Sequence, residues 1–266
     1  MVAPDIAVIG GSGFATFLPG AAAVAVETPY GSPSGDVLVA EVDGRAVAFL
    51  PRHGEGHRYP AHRINYRANV WALRSLGVRR VIAPCAVGSL SPDLGPGSLV
   101  VPDQLIDRTT SRTQTYFDEG ACHIAFADPY CEELRGQLLD VTERLGRPVV
   151  DGGAMVVIEG PRFSTRAESA WYAAQGWSLV NMTGHPEAVL ARELAMCYTA
   201  LALVTDLDAG LDSAGAVDQA SVFAVFARNI DALRALLATA VADLPAQHSC
   251  GCTQVHAGMT LPFQLP

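Results

Sequence analysis

The feature that most constrains the fold is a short apolar run, residues 200–204, that stops at two acids. The run carries no charge, which is typical of a strand buried on both faces of an α/β sheet. Thr205, Asp206, Leu207 and Asp208 follow it directly. Ligands of open α/β sheets bind beyond the carboxyl ends of strands, and alternate residues of an extended chain point to one side. We therefore expect Asp206 and Asp208 to face a binding site together, although a solvated loop would also suit them.

Strand-like and helix-like stretches alternate along the chain, which predicts an α/β protein with a central mixed β-sheet flanked by helices. The predicted strands are residues 6–9, 37–42, 46–50, 78–84, 98–101, 154–158, 177–180 and 200–204. The predicted helices are residues 62–77, 129–145, 164–175, 187–196 and 222–244. No Pro/Ser/Gly-rich linker divides the 266 residues, so we predict a single catalytic domain over residues 1–245. Residues 246–266 are predicted to form a tail that packs on this domain or extends from it.

Three loops that follow predicted strands suit an anion. The Gly-Gly-Ser-Gly turn at residues 10–13 offers backbone amides and the Ser12 hydroxyl, but its spacing is not that of a dinucleotide-binding fingerprint. Arg52 and His53 come next, and a guanidinium presents a fixed fork of donors. Residues 85–90 are predicted to form a small-residue turn whose backbone amides add to the same cradle. Taken alone, the first two loops are more typical of a tight turn and an ordinary polar loop than of an anion site.

Charge and composition exclude several classes of protein. The formal net charge is −9 and the isoelectric point is about 5.2, so the chain lacks the basic face that nucleic acid requires. Arg192 and Glu193 interrupt the apolar stretch around residues 188–204, which therefore does not suit a membrane span. Six cysteines in a chain of this length do not indicate a disulfide framework. With no targeting segment recognised, we expect a reduced, cytoplasmic protein.

A series of short motifs, taken in order, resembles the trimeric purine nucleoside phosphorylase family in its methylthioadenosine phosphorylase branch. The resemblance covers nearly the whole chain, and the order of the motifs is far more specific than any one of them. The motifs lie at residues 10–13, 52–54, 65–69, 86–90, 103–110, 158–169, 181–183, 186–187 and 205–208.

The resemblance implies a purine nucleoside phosphorylase-like fold and a reversible phosphorolysis. In that reaction inorganic phosphate attacks the anomeric carbon of a nucleoside and the purine leaves. The implied substrate is 5′-methylthioadenosine, and the implied products are adenine and 5-methylthioribose 1-phosphate. The implied assembly is a homotrimer. Phosphate is a co-substrate, and no metal or organic cofactor is expected.

The resemblance also implies a role for each matching residue. The implied phosphate ligands are Ser12, Arg52, His53, Cys85, Ala86 and Thr183. The implied nucleoside-binding residues are Phe163, Asn181, Met182, Thr205, Val222, Phe223 and His123, the last contributed to the neighbouring subunit's site, and Gln219 lies near the 5′ group. Asp206 and Asp208 are the implied catalytic acids.

Physical chemistry agrees with these roles. Cleavage of an N-glycosidic bond leaves negative charge on the departing purine, and a carboxylic acid near N7 can neutralise it by donating a proton. Phosphate beneath the sugar is both nucleophile and counter-charge, so the remaining catalysis is positioning and electrostatics.

Two departures from the family pattern leave alternatives open. Cys85 stands where a hydroxyl residue is common, and Gly184-His185 replaces a small or β-branched pair. The first alternative is therefore a methylthioinosine or 6-oxopurine nucleoside phosphorylase of the same fold. Asp206 speaks against it, because a 6-oxopurine usually meets an amide side chain at that position. The second alternative is a non-catalytic nucleotide- or phosphate-binding protein.

The tail raises the question of a metal site. His248, Cys250, Cys252 and His256 lie close together in sequence, but the usual zinc spacing is Cys-x₂₋₄-Cys rather than Cys-x-Cys. We therefore expect no metal there. Similar bacterial members of the family carry a Cys-x-Cys tail, so the resemblance implies that the tail is inert or redox-sensitive.

Overall fold

A computed structural model describes residues 2–11, 14, 18, 20–209 and 217–266. The strands are β1 Ile6–Gly10, β2 Ala22–Val24, β3 Val37–Val42, β4 Arg45–Pro51, β5 Arg80–Ser89, β6 Leu99–Val101, β7 Gln104–Arg108, β8 Val149–Asp151, β9 Ala154–Ile158, β10 Leu179–Asn181 and β11 Cys197–Leu207. The α-helices are α1 Tyr66–Ser75, α2 Glu132–Arg144, α3 Arg166–Ala174, α4 Gly184–Glu193 and α5 Gln219–Asp243. None of the described helices is both long enough and apolar enough to cross a membrane.

The described strands form one mixed sheet, as predicted. Its main path runs β2-β3-β4-β1-β5-β10-β9-β7, and β11 pairs with the other edge of β5 and carries β6 and β8 beyond it. β5 lies parallel to β1 and β11 but antiparallel to β10. This arrangement places β5 and β11 at the centre of the molecule.

Helices cover both faces of the sheet, and β11 is buried between them. Leu201 and Leu203 pack in one core cluster with residues of α2 and α5. Ala200, Ala202 and Val204 pack in a second cluster with residues of α1 and α4. The alternation of partners explains the uncharged run: every side chain of this stretch enters a core, whichever face it points to.

Local signals in the sequence are confirmed in several places. Asp43 and Gly44 both have positive φ, 48° and 80°, as a two-residue hairpin turn between β3 and β4 requires. Thr165 caps α3 and forms a capping box with Glu168. Gly77, just beyond α1, has φ of 103°, which suits a glycine at a helix end.

The predicted turn at residues 85–90 is wrong, because β5 continues to Ser89. The small residues of this stretch remain extended since β11 pairs with them on one edge as far as Leu207↔Ser89. β11 is likewise longer than its apolar run. It carries a bulge at Thr205, where Val204 pairs with Val87 and Asp206 with Gly88.

Residues 246–266 lie against the body of the molecule. Ser249 donates from its backbone N–H and its hydroxyl to Glu133, at 2.7 and 3.0 Å. The Phe263 ring packs on Trp71 and Phe117, with centroids 5.7 and 5.8 Å apart. Arg74 donates to the Pro266 carbonyl at 2.7 Å. The division into a domain and a tail stays a prediction, but these contacts place the tail on the surface of the α/β body.

Candidate active site

A gap in the sheet opens into a cavity. β1 pairs with β5 only over residues 80–82 of β5, and β10 pairs with it only at residues 88 and 89. β11 occupies the other edge of β5 along its whole length, so residues 83–87 face an opening between β1 and β10. A cavity of about 420 Å³ lies there, lined among others by residues 84–88. Such a break in the strand order is where open α/β sheets bind ligands.

Most of the predicted site residues line this one cavity. They are Arg52, His53, Cys85, Ala86, Phe163, Asn181, Met182, Thr183, Thr205, Asp206, Asp208, Val222 and Phe223. Ser12 lies outside the described residues. His123 is exposed and does not line the cavity of its own chain. The residues brought together come from segments spread over most of the sequence.

Arg52 directly follows β4 and is fixed by an ion pair that the sequence did not reveal. Its guanidinium donates to both Glu187 carboxylate oxygens, at 2.7 and 2.9 Å. It also donates to the Ile9 and Pro84 carbonyls, at 2.8 and 3.2 Å. Burial opposes the charge of Arg52, but Glu187 outweighs it and holds the pKa of Arg52 above its usual value.

The Arg52–Glu187 pair has two consequences for the cavity. Four of the five guanidinium N–H donors are engaged within the chain, which leaves one for a ligand in the cavity. The Arg52 charge is balanced by a carboxylate that is fully buried and also accepts from the Tyr198 hydroxyl at 2.8 Å. Removal of Arg52 would therefore leave a buried charge uncompensated, which typically costs about 3–5 kcal/mol.

His53 is a neutral hydrogen-bond acceptor toward the cavity. Its Nδ1 lies 2.8 Å from the Tyr59 carbonyl, and a carbonyl only accepts, so Nδ1 carries the proton. Burial, with the nearby Arg52 charge, lowers the pKa of His53 to about 3. Nε2 is then left with a lone pair, which can accept from a protonated oxygen of an anion.

Backbone amides complete this end of the cavity. The Ala86 carbonyl accepts from the Asn181 side chain at 3.1 Å, so Ala86 faces the gap. Because the N–H and C=O of one strand residue point to the same edge, the Ala86 N–H points there too. The Asn181 Oδ1 accepts from the Thr183 and Gly184 amides, both at 2.6 Å, and so fixes the start of α4 beside the cavity. A helix N-terminus favours an anion.

Cys85 lines the same end and is a neutral thiol. Burial raises its pKa to about 12. A thiol is a weak donor compared with a hydroxyl, so Cys85 contributes less to an anion than the hydroxyl residue expected at this position.

Asp206 and Asp208 form the acidic end of the cavity. They lie over Gly88, where an added Cβ would stand 3.1 Å from Asp206 Oδ1 and 3.3 Å from the Asp208 Cβ. The predicted projection of both acids to one side is thus confirmed. Burial raises the pKa of Asp206 to about 6, opposed by a hydrogen bond from Thr205 and assisted by the Asp208 charge. The Thr205 hydroxyl donates to Asp206 Oδ2 at 2.8 Å.

Asp208 is held more firmly than Asp206. It is 3% exposed, its Oδ2 accepts from the Ser169 hydroxyl of α3 at 2.6 Å, and its backbone N–H donates to Ser89 at 2.9 Å. Asp206 is less enclosed. The geometry leaves Asp206 as the acid that can exchange a proton with a ligand.

Apolar side chains line the remaining walls. Phe163, Met182, Val222 and Phe223 belong to this set, which sequence reasoning included. The Phe223 ring meets His57 edge-on, with centroids 6.2 Å apart. These apolar walls suit a flat aromatic ring and an uncharged substituent of the ligand.

Sequence reasoning missed several residues at the site. His57, Ser164 and Phe226 line the cavity, and Glu187 and Ser169 support it from behind. The Ser164 side-chain oxygen is buried without a hydrogen-bond partner in the described part of the chain, so it is a donor available to a ligand. The one sequence signal for Ser164 was its position beside Phe163 in the motif at residues 158–169. Glu187 and Ser169 also lie in the family motifs, but no local signal pairs them with Arg52 and Asp208, because 135 and 39 residues separate the two pairs.

Fold and cavity together define an α/β protein that brings an anion-binding end and a proton-holding acidic end into one pocket. The sequence profile of the phosphorylase superfamily matches residues 5–242. The chain therefore belongs to the phosphorylase superfamily.

Relatives and solved structures extend this result. The chain is 60% identical over 263 residues to an S-methyl-5′-thioadenosine phosphorylase of Mycolicibacterium smegmatis, covering 98% of this chain and 99% of the relative. It is 55% identical over 276 residues to a purine nucleoside phosphorylase of Streptomyces coelicolor, covering 100% and 99%. A methylthioadenosine phosphorylase from an Antarctic soil metagenomic library superposes with a TM-score of 0.89 at 41% identity, covering 95% and 91%.

Proposed function

We propose that the chain catalyses the phosphorolysis of 5′-methylthioadenosine to adenine and 5-methylthioribose 1-phosphate. The observation that carries this proposal is the Asp206 carboxyl, whose pKa is raised to about 6, in the same cavity as Arg52, His53 and Ala86. The names of the relatives from Mycolicibacterium and the soil library agree with it.

Phosphate is placed at the end of the cavity beside Arg52. Its oxygens would accept from the free Arg52 donor, the Ala86 amide and the Thr183 hydroxyl. A hydrogen phosphate ion has one O–H, which would donate to His53 Nε2, the nitrogen left unprotonated by the bond to Tyr59. Ser12 and Cys85 remain further proposed ligands. A phosphate held this way has its nucleophilic oxygen oriented toward the sugar.

The purine is placed at the acidic end. Phosphate oxygen forms a bond to the anomeric carbon as the bond from that carbon to N9 breaks, and the electron pair goes to the purine. Asp206 in its protonated form donates to N7, and the adenine 6-amino group donates to a carboxylate oxygen. The proton that phosphate loses passes through solvent to the Asp206 carboxylate and protonates it again, so protons balance over the cycle. Proton donation of this kind contributes roughly 10²–10⁴ in rate.

Side chains around the sugar and the 5′ group complete the proposed site. Met182 holds the ribose hydroxyls, Phe163 stacks on the base or sugar, and Val222 with Phe223 surrounds an uncharged methylthio group. His123, exposed on its own chain, is proposed to complete the 5′ pocket of a neighbour in a homotrimer. The reaction at this cavity uses no metal or organic cofactor. We place the enzyme in the cytoplasm, where its six free cysteines would stay reduced.

A 6-oxopurine nucleoside is the second candidate substrate, because the Streptomyces relative is named a purine nucleoside phosphorylase. The Asp206 carboxyl oxygen proposed to accept from the adenine amino group would face the carbonyl oxygen of such a base and repel it. Adenine presents a donor at the same place, so adenine nucleosides are favoured.

The test is a panel of nucleosides assayed with and without phosphate. We expect free adenine from methylthioadenosine only when phosphate is present, with kcat/KM at least about 10-fold above that for methylthioinosine and inosine, since one mismatched polar contact costs on the order of 1–3 kcal/mol. Hypoxanthine released faster than adenine would move the proposal to the second candidate. Binding without release of any base would indicate a non-catalytic protein.

A further inference from the structure

Four cysteines meet at the end of the sheet away from the acids. The Sγ atoms of Cys131, Cys197, Cys250 and Cys252 all lie within 4.8 Å of one another. Three of these residues are buried and belong to one core cluster, and Cys250 packs against that cluster. Neither the fold nor the proposed reaction requires thiols at this place.

Three separate segments bring these thiols together. Cys131 caps the N-terminus of α2, and Cys197 is the first residue of β11. Cys250 and Cys252 come from the tail, which Ser249 anchors to Glu133 of α2. The cysteines of the first two segments lie 66 residues apart in sequence, so the Cys-x-Cys spacing of the tail describes only half of the cluster.

The spacing of the four sulfur atoms suits a thiolate metal site. A tetrahedron with Zn–S bonds of about 2.3 Å has edges of roughly 3.8 Å. The Sγ atoms of Cys197 and Cys250 lie 3.2 Å apart, and the largest separation is within 4.8 Å. We propose that Cys131, Cys197, Cys250 and Cys252 bind one zinc ion through their four sulfur atoms.

Two contacts from outside the proposed ligand set can stabilise thiolate sulfur when the ion is bound. The Leu134 backbone N–H points at Cys131 Sγ from 3.5 Å, within the first turn of α2, where the helix dipole stabilises negative charge. His248 Nδ1 lies 3.5 Å from Cys250 Sγ and can donate to it. Such contacts from outside the ligand set orient the ligands and lower the charge on sulfur. Each thiol releases its proton to solvent when it binds the ion.

The site is structural rather than catalytic. Four protein ligands close the coordination sphere, which leaves no position for water or substrate. Cys197 and Asp206 lie at opposite ends of β11, nine residues apart, which corresponds to about 30 Å along a strand. The ion would join the tail to α2 and to the first residue of the central strand. This proposal replaces the expectation from the sequence that the tail binds no metal.

The test begins with the metal content of the wild-type chain purified under reducing conditions. We expect one zinc ion per chain, and substitution by cobalt(II) should give the intense visible bands of tetrahedral thiolate coordination. The double variant Cys250→Ser/Cys252→Ser should lose the zinc. Cys122→Ser is the matched control, because Cys122 lies outside the cluster, and it should keep one ion per chain. A chelator should lower the Tm of the wild type and of this control but not that of the double variant.

A thiol titration separates the proposal from a disulfide pairing. The wild type, unfolded with a chelator and no reductant, should show six reactive thiols, the full number of cysteines in the chain. Four or fewer would reveal disulfides and overturn the proposal. It would equally be overturned by six thiols with no bound zinc and no cobalt spectrum, which would make the cluster an apolar packing of thiols. Both readouts use the wild type, so they hold even if the double variant fails to fold.

Discussion

Burial gives the Asp206 carboxyl a property that it lacks in water, a proton retained up to about pH 6. The same burial makes its ionised form unfavourable in the folded chain. In the unfolded chain the group titrates near 3.8. Below about pH 4 it is therefore neutral in both states and costs nothing. Above about pH 6 the carboxyl is charged in both states. Its raised pKa then lowers the free energy of unfolding by about 3 kcal/mol, the value for a pKa difference of about two units between the folded and unfolded chain.

The variant Asp206→Asn tests both properties. Turnover of methylthioadenosine should fall about 10²-fold or more because the proton donor is gone. Cleavage of methylthioinosine should fall less, or rise, because the amide can donate to a carbonyl. The variant should gain stability over the wild type by up to about 3 kcal/mol as pH rises from about 4 to about 6. Steady-state kinetics on both substrates and denaturant unfolding across pH measure these effects.

Asp231→Asn is the control for Asp206→Asn, since Asp231 is 90% exposed on α5. It should change neither the substrate ratio nor the pH dependence of stability. An Asp206→Asn enzyme that loses stability at every pH and keeps its base preference would make Asp206 a structural acid instead.

Among the elements, β5 and β11 form the acidic end of the cavity, where the two strands meet over Gly88, a residue with no side chain. Gly88→Ala would bring a Cβ within 3.1 Å of Asp206 Oδ1 and 3.3 Å of the Asp208 Cβ. Both acids would shift by a few tenths of an ångström. We expect kcat/KM for methylthioadenosine to fall about 10- to 100-fold, since displaced catalytic groups lose rate steeply.

Gly95→Ala is the matched control for Gly88→Ala, because nothing lies within 4 Å of a Cβ added there. Its kinetics should equal those of the wild type. Unchanged kinetics in Gly88→Ala would mean that the acids have room to move without loss. Melting temperatures of both variants show whether the effect is local.

The sequence predicted elements whose signals are local, and missed what depends on pairing across the chain. The charge-free run of β11 and the Asp43-Gly44 turn each carry their own signal, and both were predicted correctly. The extension of β5 to Ser89 was missed, because small residues mark a turn unless a partner strand pairs with them. The Arg52–Glu187 pair was missed for the same reason. Most residues of the candidate site were predicted from the family motifs and their order along the chain. Such motifs indicate which distant residues come together in the fold, and hydrophobic periodicity does not.

At the scale of the whole molecule, one proposed site residue lies away from the cavity of its own chain. His123 is exposed, within an irregular segment between β7 and α2. If it completes a neighbour's pocket, the active enzyme is an oligomer whose sites are shared between chains.

Mixing two defective chains tests this sharing. Asp206→Asn and His123→Ala variants, dissociated and reassembled together, should form some sites with an intact Asp206 and an intact His123. Activity should then exceed the mean of the two variants, each reassembled alone as a control. No recovery of activity, together with a fully active monomer by light scattering, would refute sharing.

The opening between β1 and β10 also sets a length. The Ala86 amide, proposed for phosphate, and Gly88, over which Asp206 and Asp208 lie, are two residues apart on β5, about 7 Å along the strand. The spacing of residues along a paired strand is fixed, so the distance between the phosphate-binding and purine-binding ends of the cavity is fixed too. Nucleosides with a longer span between the reacting carbon and the base edge cannot be fitted by moving the two ends apart. A change of substrate preference must therefore come from substituting side chains that line the cavity, while the distance between its two ends stays constant.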